Sequence, residues 1–445
     1  MAKAGFLFRV LIRGIMNFMP VKKVLKFPDG FLWGAATSAY QVEGGIDNCD
    51  WAQNERVPRA GRACEHYCFY DRDFALAHSL GQNAHRLSIE WSRLEPQVGQ
   101  FNYQELKHYQ QVLSALRARQ LEPFVTLWHF TLPQWLAMEG GWQNSRSIDY
   151  FCRYVEFVVG NLKGRVKFWL TLNEPEVYLL NGYLKSKWPP FKKSLFNAWQ
   201  VRKNLIKAHK LAYLIIKKIQ PSAQVGLPIN FSWFSPRNRY SPIDWLMARL
   251  ALWVNGIFLR PNKKFIDFLG VNYYTRRLVG IGRRVLDPRI LPSLRASARH
   301  GKSEDDTTGK SEDDTKRKPE DDNVEKTDMG WKIYPKGIYQ ILRRLKKYHL
   351  PVYITENGLA DKSDQRRWPY IRDHLMWLHQ AIERSVDVRG YFYWSLMDNF
   401  EWADGFDPCF GLIEINYRTM ERCIRPSAWQ YAKVCQSNQF VVSSL

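Results

Sequence analysis

Eight short β-rich runs recur along the chain, and helical patterns fill most of the gaps between them. The runs are FLWGAAT (31–37), AHRLSIEW (84–91), EPFVTLWH (122–129), FWLTLNE (168–174), AQVGLPIN (223–230), FIDFLGVNYY (265–274), PVYITENG (351–358) and RGYFYWSL (389–396). YDRDFALAHSLG, YQQVLSALRARQ and GIYQILRRLKKY are among the intervening helical patterns. Strands alternating with helices form parallel sheets, because the right-handed crossover between parallel strands needs a helix-sized connection. Eight such units on one continuous chain suit a closed (β/α)8 TIM barrel better than an open sheet.

Two segments stand outside this rhythm. KSEDDTTGKSEDDTKRKPEDD (302–322) repeats a unit that starts at Lys302, Lys310 and Lys318 and contains no large apolar residue. It cannot bury enough surface to offset the entropy of ordering, so a disordered acidic insert is expected at about 301–326. The rhythm resumes unchanged after it, so it divides no domains. Residues 1–20, MAKAGFLFRVLIRGIMNFMP, form an apolar stretch broken by Arg9 and Arg13. The stretch is too short and too charged to span a bilayer and lacks a small-residue cleavage site. A membrane-surface helix and a dispensable extension both fit it. The expected organisation is therefore an extension (1–20) and one barrel domain (21–445).

Polar side chains gather at the C-terminal ends of the runs, where a barrel opens into its site: His129, Asn173–Glu174, Asn272, Tyr274 and Glu356–Asn357. Arg86 and Glu90 in the second run are partial exceptions, and a buried Arg86 would require a carboxylate partner. Glu174 in TLNEP and Glu356 in ITENG end the fourth and seventh runs, so barrel closure would aim both into one mouth. A lone glutamate would more often cap a helix or pair with a surface lysine. Two at matching strand ends, each beside an asparagine, favour chemistry. Paired carboxylates about 5–5.5 Å apart are what retaining glycosidic cleavage uses, one attacking the anomeric carbon and the other moving the proton. The acid/base needs a raised pKa, supplied by the nucleophile's charge, while Arg86 would keep the nucleophile ionised.

The chain resembles the family 1 glycoside hydrolases, the β-glucosidase and β-galactosidase group. The resemblance runs from FPDGFLWGAATSAYQVEGG (27–45) through NAHRLSIEWSRLEP, TLNEP, DFLGVNYYTR, TDMGWKIYPKGI, YITENGLAD and GYFYWSLMDNFEWADGF to RPSAWQYAKV. It implies a retaining β-glycosidase, without cofactor or metal, acting on a small-molecule glycoside. Glu174 would be the acid/base and Glu356 the nucleophile. Asn173 would hydrogen-bond the sugar 2-hydroxyl. Gln41, His129, Glu401 and Trp402 would hold the remaining hydroxyls, with Trp394 as the apolar floor. Tyr274 would donate to Glu356, Trp331 would line the leaving-group side, and Arg86 and Asn272 would support the centre. A carboxylate at Glu401 would repel a 6-phosphate, so the expected substrates are unphosphorylated β-D-glucosides, β-D-galactosides or both. Transglycosylation by the same residues, and a non-catalytic sugar-binding relative, are the alternatives; the second usually lacks one glutamate, and both are present.

Composition limits the partners. The net charge is +22, and ten Lys and Arg fall between Lys185 and Lys218 with no Asp or Glu. No nucleic-acid-binding signature accompanies them, so nucleic acid is not an expected partner. The basic loops and the N-terminal extension leave room for weak association with a membrane surface. The loop after NGYLKSKWPPF, the stretch ALWVNGIFLRPNKKFIDFLG and the acidic insert all bear on the leaving-group side. Seven cysteines without a CxxC point to reduced thiols and a cytoplasmic protein, peripheral to the membrane if the basic surface is used. Cys64, His66 and Cys68 lack a second ligand cluster, so no metal site is expected there. The 18 Trp, 22 Tyr and 25 Phe suit sugar stacking and a large core alike. Oligomeric state is left open.

Overall fold

A computed structural model describes residues 22–280 and 324–443. Eight parallel strands close into a barrel: β1 (Leu32–Ala36), β2 (Ala84–Ser88), β3 (Glu122–Trp128), β4 (Phe168–Leu172), β5 (Gln224–Asn230), β6 (Phe268–Asn272), β7 (Val352–Asn357) and β8 (Val388–Trp394). Each coincides with one of the eight runs. Neighbours in sequence are neighbours in space, and β8 pairs back onto β1 through Gly390–Leu32 to Trp394–Ala36. The barrel fold is thus the expected one.

The principal helices are α1 (His66–Ser79), α2 (Tyr103–Ala118), α3 (Ser147–Leu162), α4 (Leu195–Ile219), α5 (Pro242–Val254), α6 (Lys336–Leu345), α7 (Arg367–Glu383) and α8 (Pro426–Ser437). Most bury a regular stripe against the barrel wall, as Phe151, Val155, Val158, Val159 and Leu162 do on α3. Ends are capped where the sequence offers a short polar residue: Asn102 Oδ1 accepts from Gln104 and Glu105 N–H at the start of α2.

A small part of the aromatic load fills the barrel itself. Phe124, Phe168, Phe268, Tyr353 and Phe392 meet inside it, with the Phe124 and Phe168 rings stacked at 4.1 Å. They fill the barrel below its open end, where Arg86, Asn173, Glu174, Asn272 and Glu356 meet. Short two-stranded pairs lie outside it: Lys22–Lys26 with Gln439–Ser443, Trp233–Pro236 with Arg276–Val279, and Ile413–Asn416 with Glu421–Ile424.

The N-terminal extension and nearly all of the acidic insert lie outside the described residues. At the insert's far end, Glu325 O accepts from Ile333 N–H (2.9 Å) and Lys326 O from Arg366 (2.6 Å). His66 Nδ1 pairs with Asp73 (2.7 Å), and the Cys64 thiol donates to Asp398 O (3.0 Å), so both have structural partners.

Candidate active site

Side chains on a strand alternate between faces, so only every second residue can enter the barrel. Both glutamates escape that rule, by different means. Glu174 follows the end of β4 with φ +41, in the left-handed region that a non-glycine residue seldom occupies. The turn lets Asn173 and Glu174 face the same mouth. Pro175 is the first residue of the short helix Pro175–Leu179, where its missing N–H costs nothing. Glu174 occupies the cap position of that helix, yet its side chain makes no capping bond.

Glu356 is re-aimed by a register shift in β7, between Ile354 and Glu356 against β6 and between Ile354 and Asn357 against β8. Thr355 and Glu356 both reach groups of the mouth. Asn357 instead enters the wall, where it donates to Tyr273 O and Tyr370 Oη and accepts from Tyr391 Oη. The two sequence-adjacent asparagines are therefore not equivalent: Asn173 joins the site and Asn357 holds the scaffold.

Arg86 is fully buried and ties the centre together. Its guanidinium donates to Glu356 Oε1 (2.5 Å), Asn173 Oδ1 (2.7 Å), Thr126 Oγ1 (3.2 Å) and Thr355 O (3.1 Å). Tyr274 Oη donates to the other oxygen of Glu356 at 2.6 Å. Glu174 Oε1 receives only neutral donors, from Asn272 Nδ2 (2.8 Å) and Asn230 Nδ2 (2.9 Å). Asn272 is in turn oriented by Thr355 Oγ1, which donates to its Oδ1 at 2.6 Å, and its Nδ2 also reaches Asn173 Oδ1 at 3.3 Å.

These contacts separate the two carboxyls. Burial, then the charge of Glu356, pushes Glu174 up to about 8, and its amide donors only partly oppose this. Burial also raises Glu356, but a direct guanidinium and a phenol hydroxyl favour its ionised form. Desolvation is thus the larger influence on the acid/base candidate, ahead of the neighbouring charge invoked from sequence.

The remaining candidates converge on the same mouth. His129 Nε2 lies 3.1 Å from Asn173 Nδ2, while its buried Nδ1 has no partner. Burial, reinforced by Arg86, holds its pKa well below the usual histidine value. A neutral ring that accepts from the Asn173 amide carries its proton on Nδ1, a donor awaiting an acceptor. The His129 ring runs near-parallel to Trp394 and Trp402, each at 6.1 Å. Gln41 Nε2 donates to Asn399 Oδ1 (3.0 Å), Phe400 O (2.7 Å) and Glu401 Oε2 (3.3 Å). Trp331 packs against Tyr274 (5.6 Å) and Phe410 (6.1 Å).

Glu401 differs electrically from the sequence expectation. Burial, then the neighbouring Asp404, pushes it up to about 8, so near neutrality it is largely a neutral acid.

Sequence reasoning missed Asn230, although it ends the fifth run as Asn272 ends the sixth region's strand. It also missed Phe410 and the aromatic backing of Trp402 by Tyr40, Trp51, Phe130 and Trp188. The signal for Asn230 was present; those rings carry no distinguishing local pattern.

Known proteins fit this geometry. The model of Glycosyl hydrolase family 1 matches residues 23–264 and 258–440. Beta-glucosidase A of Thermotoga maritima is 32% identical, covering 93% of this chain and 99% of the relative. A beta-galactosidase of Pyrococcus woesei is 31% identical, covering 94% of this chain and 98% of the relative. The solved beta-glycosidase from Pyrococcus horikoshii is 36% identical with a TM-score of 0.80, covering 95% of this chain and 99% of that one. The chain belongs to glycosyl hydrolase family 1 and is a retaining glycosidase.

Proposed function

We propose that this enzyme hydrolyses terminal, unphosphorylated β-D-glucosides, β-D-galactosides or both, with Glu356 as nucleophile and Glu174 as acid/base. The observation that carries the assignment is the unequal bonding of the two carboxyls: Glu356 rests on Arg86 and Tyr274, Glu174 on amides alone.

Glu356 attacks the anomeric carbon as the protonated Glu174 donates to the departing glycosidic oxygen. The C–O bond to the leaving group breaks, and a glycosyl ester to Glu356 forms with inverted configuration. Glu174, now ionised, takes a proton from water, whose oxygen displaces Glu356 and inverts the centre again. Configuration is retained overall. Once Glu356 is esterified its negative charge is gone, so the pKa of Glu174 falls and its carboxylate stays ionised, able to act as the base.

Sugar binding is assigned to side chains whose polar ends converge beside this pair. Asn173, fixed by Arg86, Asn272 and His129, would meet the 2-hydroxyl. Gln41, His129, Glu401 and Trp402 would serve the other hydroxyls, Trp394 the ring face, and Trp331 the leaving group. The catalytic unit is taken as one domain over residues 21–445.

A panel of nitrophenyl β-glucoside, β-galactoside and β-glucoside 6-phosphate, with the Glu356→Ala variant, tests this reading. Turnover of an unphosphorylated glycoside and its abolition in the variant are expected. Preference for the 6-phosphate would sink the substrate assignment, and retained turnover in the variant would sink the nucleophile.

A further inference from the structure

The helix α5 is inverted relative to an ordinary surface helix. Its fully buried positions are Asp244, Ala248 and Ala251, small or polar, packed with Phe234 and Val279 of the strand pair beneath, with Met247 and Leu252 half-buried at the edges of that contact. Its outward positions carry the large apolar side chains: Leu246, Leu250 and Trp253 are 67%, 59% and 58% exposed, with Ile243 and Trp245 also exposed. A soluble helix places its bulky residues on the buried face, because each buried Leu or Trp removes apolar area from water. Here the alanines have that place. Exposed single hydrophobes are ordinary, but a contiguous face of leucine and tryptophan marks a binding surface.

The location ties this face to the catalytic mouth. Trp233–Pro236 prolongs the chain beyond the end of β5, whose last residue, Asn230, donates to Glu174. α5 folds back along that extension and is fixed where Asn255 Nδ2 donates to Ser232 O at 2.7 Å. It therefore lies on the open side of the barrel. The first turns of α4 adjoin it, since Arg202 donates to Ile257 O (3.1 Å), and they add exposed Leu195, Phe196 and Trp199.

The surroundings are cationic. From Lys192 to Lys264 the chain has fourteen Lys and Arg and one acidic residue, Asp244, which is buried on the inner side of α5. Lys192, Lys193, Lys203, Arg239 and Arg249 are exposed around the apolar face. The Arg260 guanidinium lies 4.0 Å from the Trp253 ring centroid, and Lys203 Nζ is 4.3 Å from Trp199. Leucines flanked by tryptophans and ringed by cations match the layering of an anionic bilayer, with hydrocarbon inside, an aromatic interface and charged headgroups outside. Two copies of this face would set like charges against each other, which argues against self-association. α5 is 13 residues long, and among the described residues no helix is long and apolar enough to cross a membrane. The geometry would lay it in the surface.

We infer that the outward face of α5, with the start of α4, docks on an anionic lipid bilayer and turns the catalytic mouth towards glycosides carried at that surface. The substrate half of this inference rests on the proposed glycosidase activity; the docking half does not.

The test uses the full chain and the doubly substituted Leu246→Ser/Leu250→Ser chain, with phosphatidylcholine vesicles made with and without phosphatidylserine. Wild type should co-sediment with the phosphatidylserine vesicles and dissociate at high salt. The variant should bind at least ~10-fold more weakly, having lost two anchoring leucines. Its hydrolysis of soluble nitrophenyl β-glucoside should be unchanged, which also verifies folding, while hydrolysis of a vesicle-borne glucosyl lipid should fall by a similar factor. No binding by wild type, or equal binding by the variant, would overturn the docking surface. So would a wild-type oligomer, seen by analytical ultracentrifugation, that the variant abolishes, since the face would then join proteins. Docking without lipid-glycoside turnover would overturn only the substrate half. Failure on the soluble glycoside by wild type would instead count against the proposed function.

Discussion

At the scale of single residues, the two glutamates differ because their immediate donors differ. Glu174, protonated up to about 8 in the free enzyme, can donate at neutral pH. The sign follows directly: activity that needs its proton is present below that value and is lost as pH rises through it. The profile of kcat/KM for an unactivated β-glucoside should therefore show an alkaline limb near 8. In Glu174→Gln that limb should vanish and the rate should fall by ~10²–10⁴-fold, less for leaving groups that need no proton. A limb of unchanged position in the variant would mean another group carries it. Both glutamates were legible as residues at strand ends. The left-handed turn at Glu174 and the register shift before Glu356 were not, because backbone strain at one residue leaves no mark on composition or periodicity. Asn357 shows the cost of that blindness: proximity to Glu356 in sequence suggested a role, and the register shift that brings Glu356 inward sends Asn357 to the wall.

At the scale of elements, strand identity was legible because each barrel strand is buried and reads as an apolar run closed by a polar residue. The short accessory strands were not, since four residues of half-buried chain carry too little pattern. α5 misleads for a different reason: an apolar helix gives no sign of which side faces out. One close approach between elements has a measurable consequence. A Cβ at Gly358, just past β7, would lie 1.9 Å from Trp394 O at the end of β8. Gly358→Ala must push apart the segments that carry Glu356 and Trp394. We expect a loss of about 1–3 kcal/mol in unfolding free energy, as overpacking of a tight contact costs. kcat/KM for the aryl glucoside should fall along with it. Denaturant unfolding and steady-state kinetics read the two, and an unchanged kcat/KM would mean that the site tolerates the shift.

At the scale of the whole molecule, ring closure joins residues far apart in the chain, and a buried ion pair reinforces it outside the barrel. Arg422, on the Glu421–Ile424 strand, donates to both oxygens of Asp73 on α1 (2.8 and 3.2 Å), and His66 pairs with the same carboxylate. Burial alone would raise the Asp73 pKa, but His66 and Arg422 outweigh it and hold the group below its ordinary value. The stability this adds is present above the ordinary aspartate range and is lost as pH falls through the lowered value. Asp73→Ala would strand a buried guanidinium and should cost about 3–5 kcal/mol by denaturant unfolding at neutral pH. A cost below 1 kcal/mol, on the order of a surface pair, would show that Arg422 finds other partners. The sequence by itself determined the eight-unit barrel, the family and the pair of carboxylates, because burial periodicity and strand-end polarity are local and repeat along the chain. Only the tertiary structure decided which donors surround each carboxyl, how Asn357 is turned into the wall and which face of α5 meets the outside. Those depend on neighbours that closure brings from distant parts of the chain, and on desolvation that exists only once the barrel is shut.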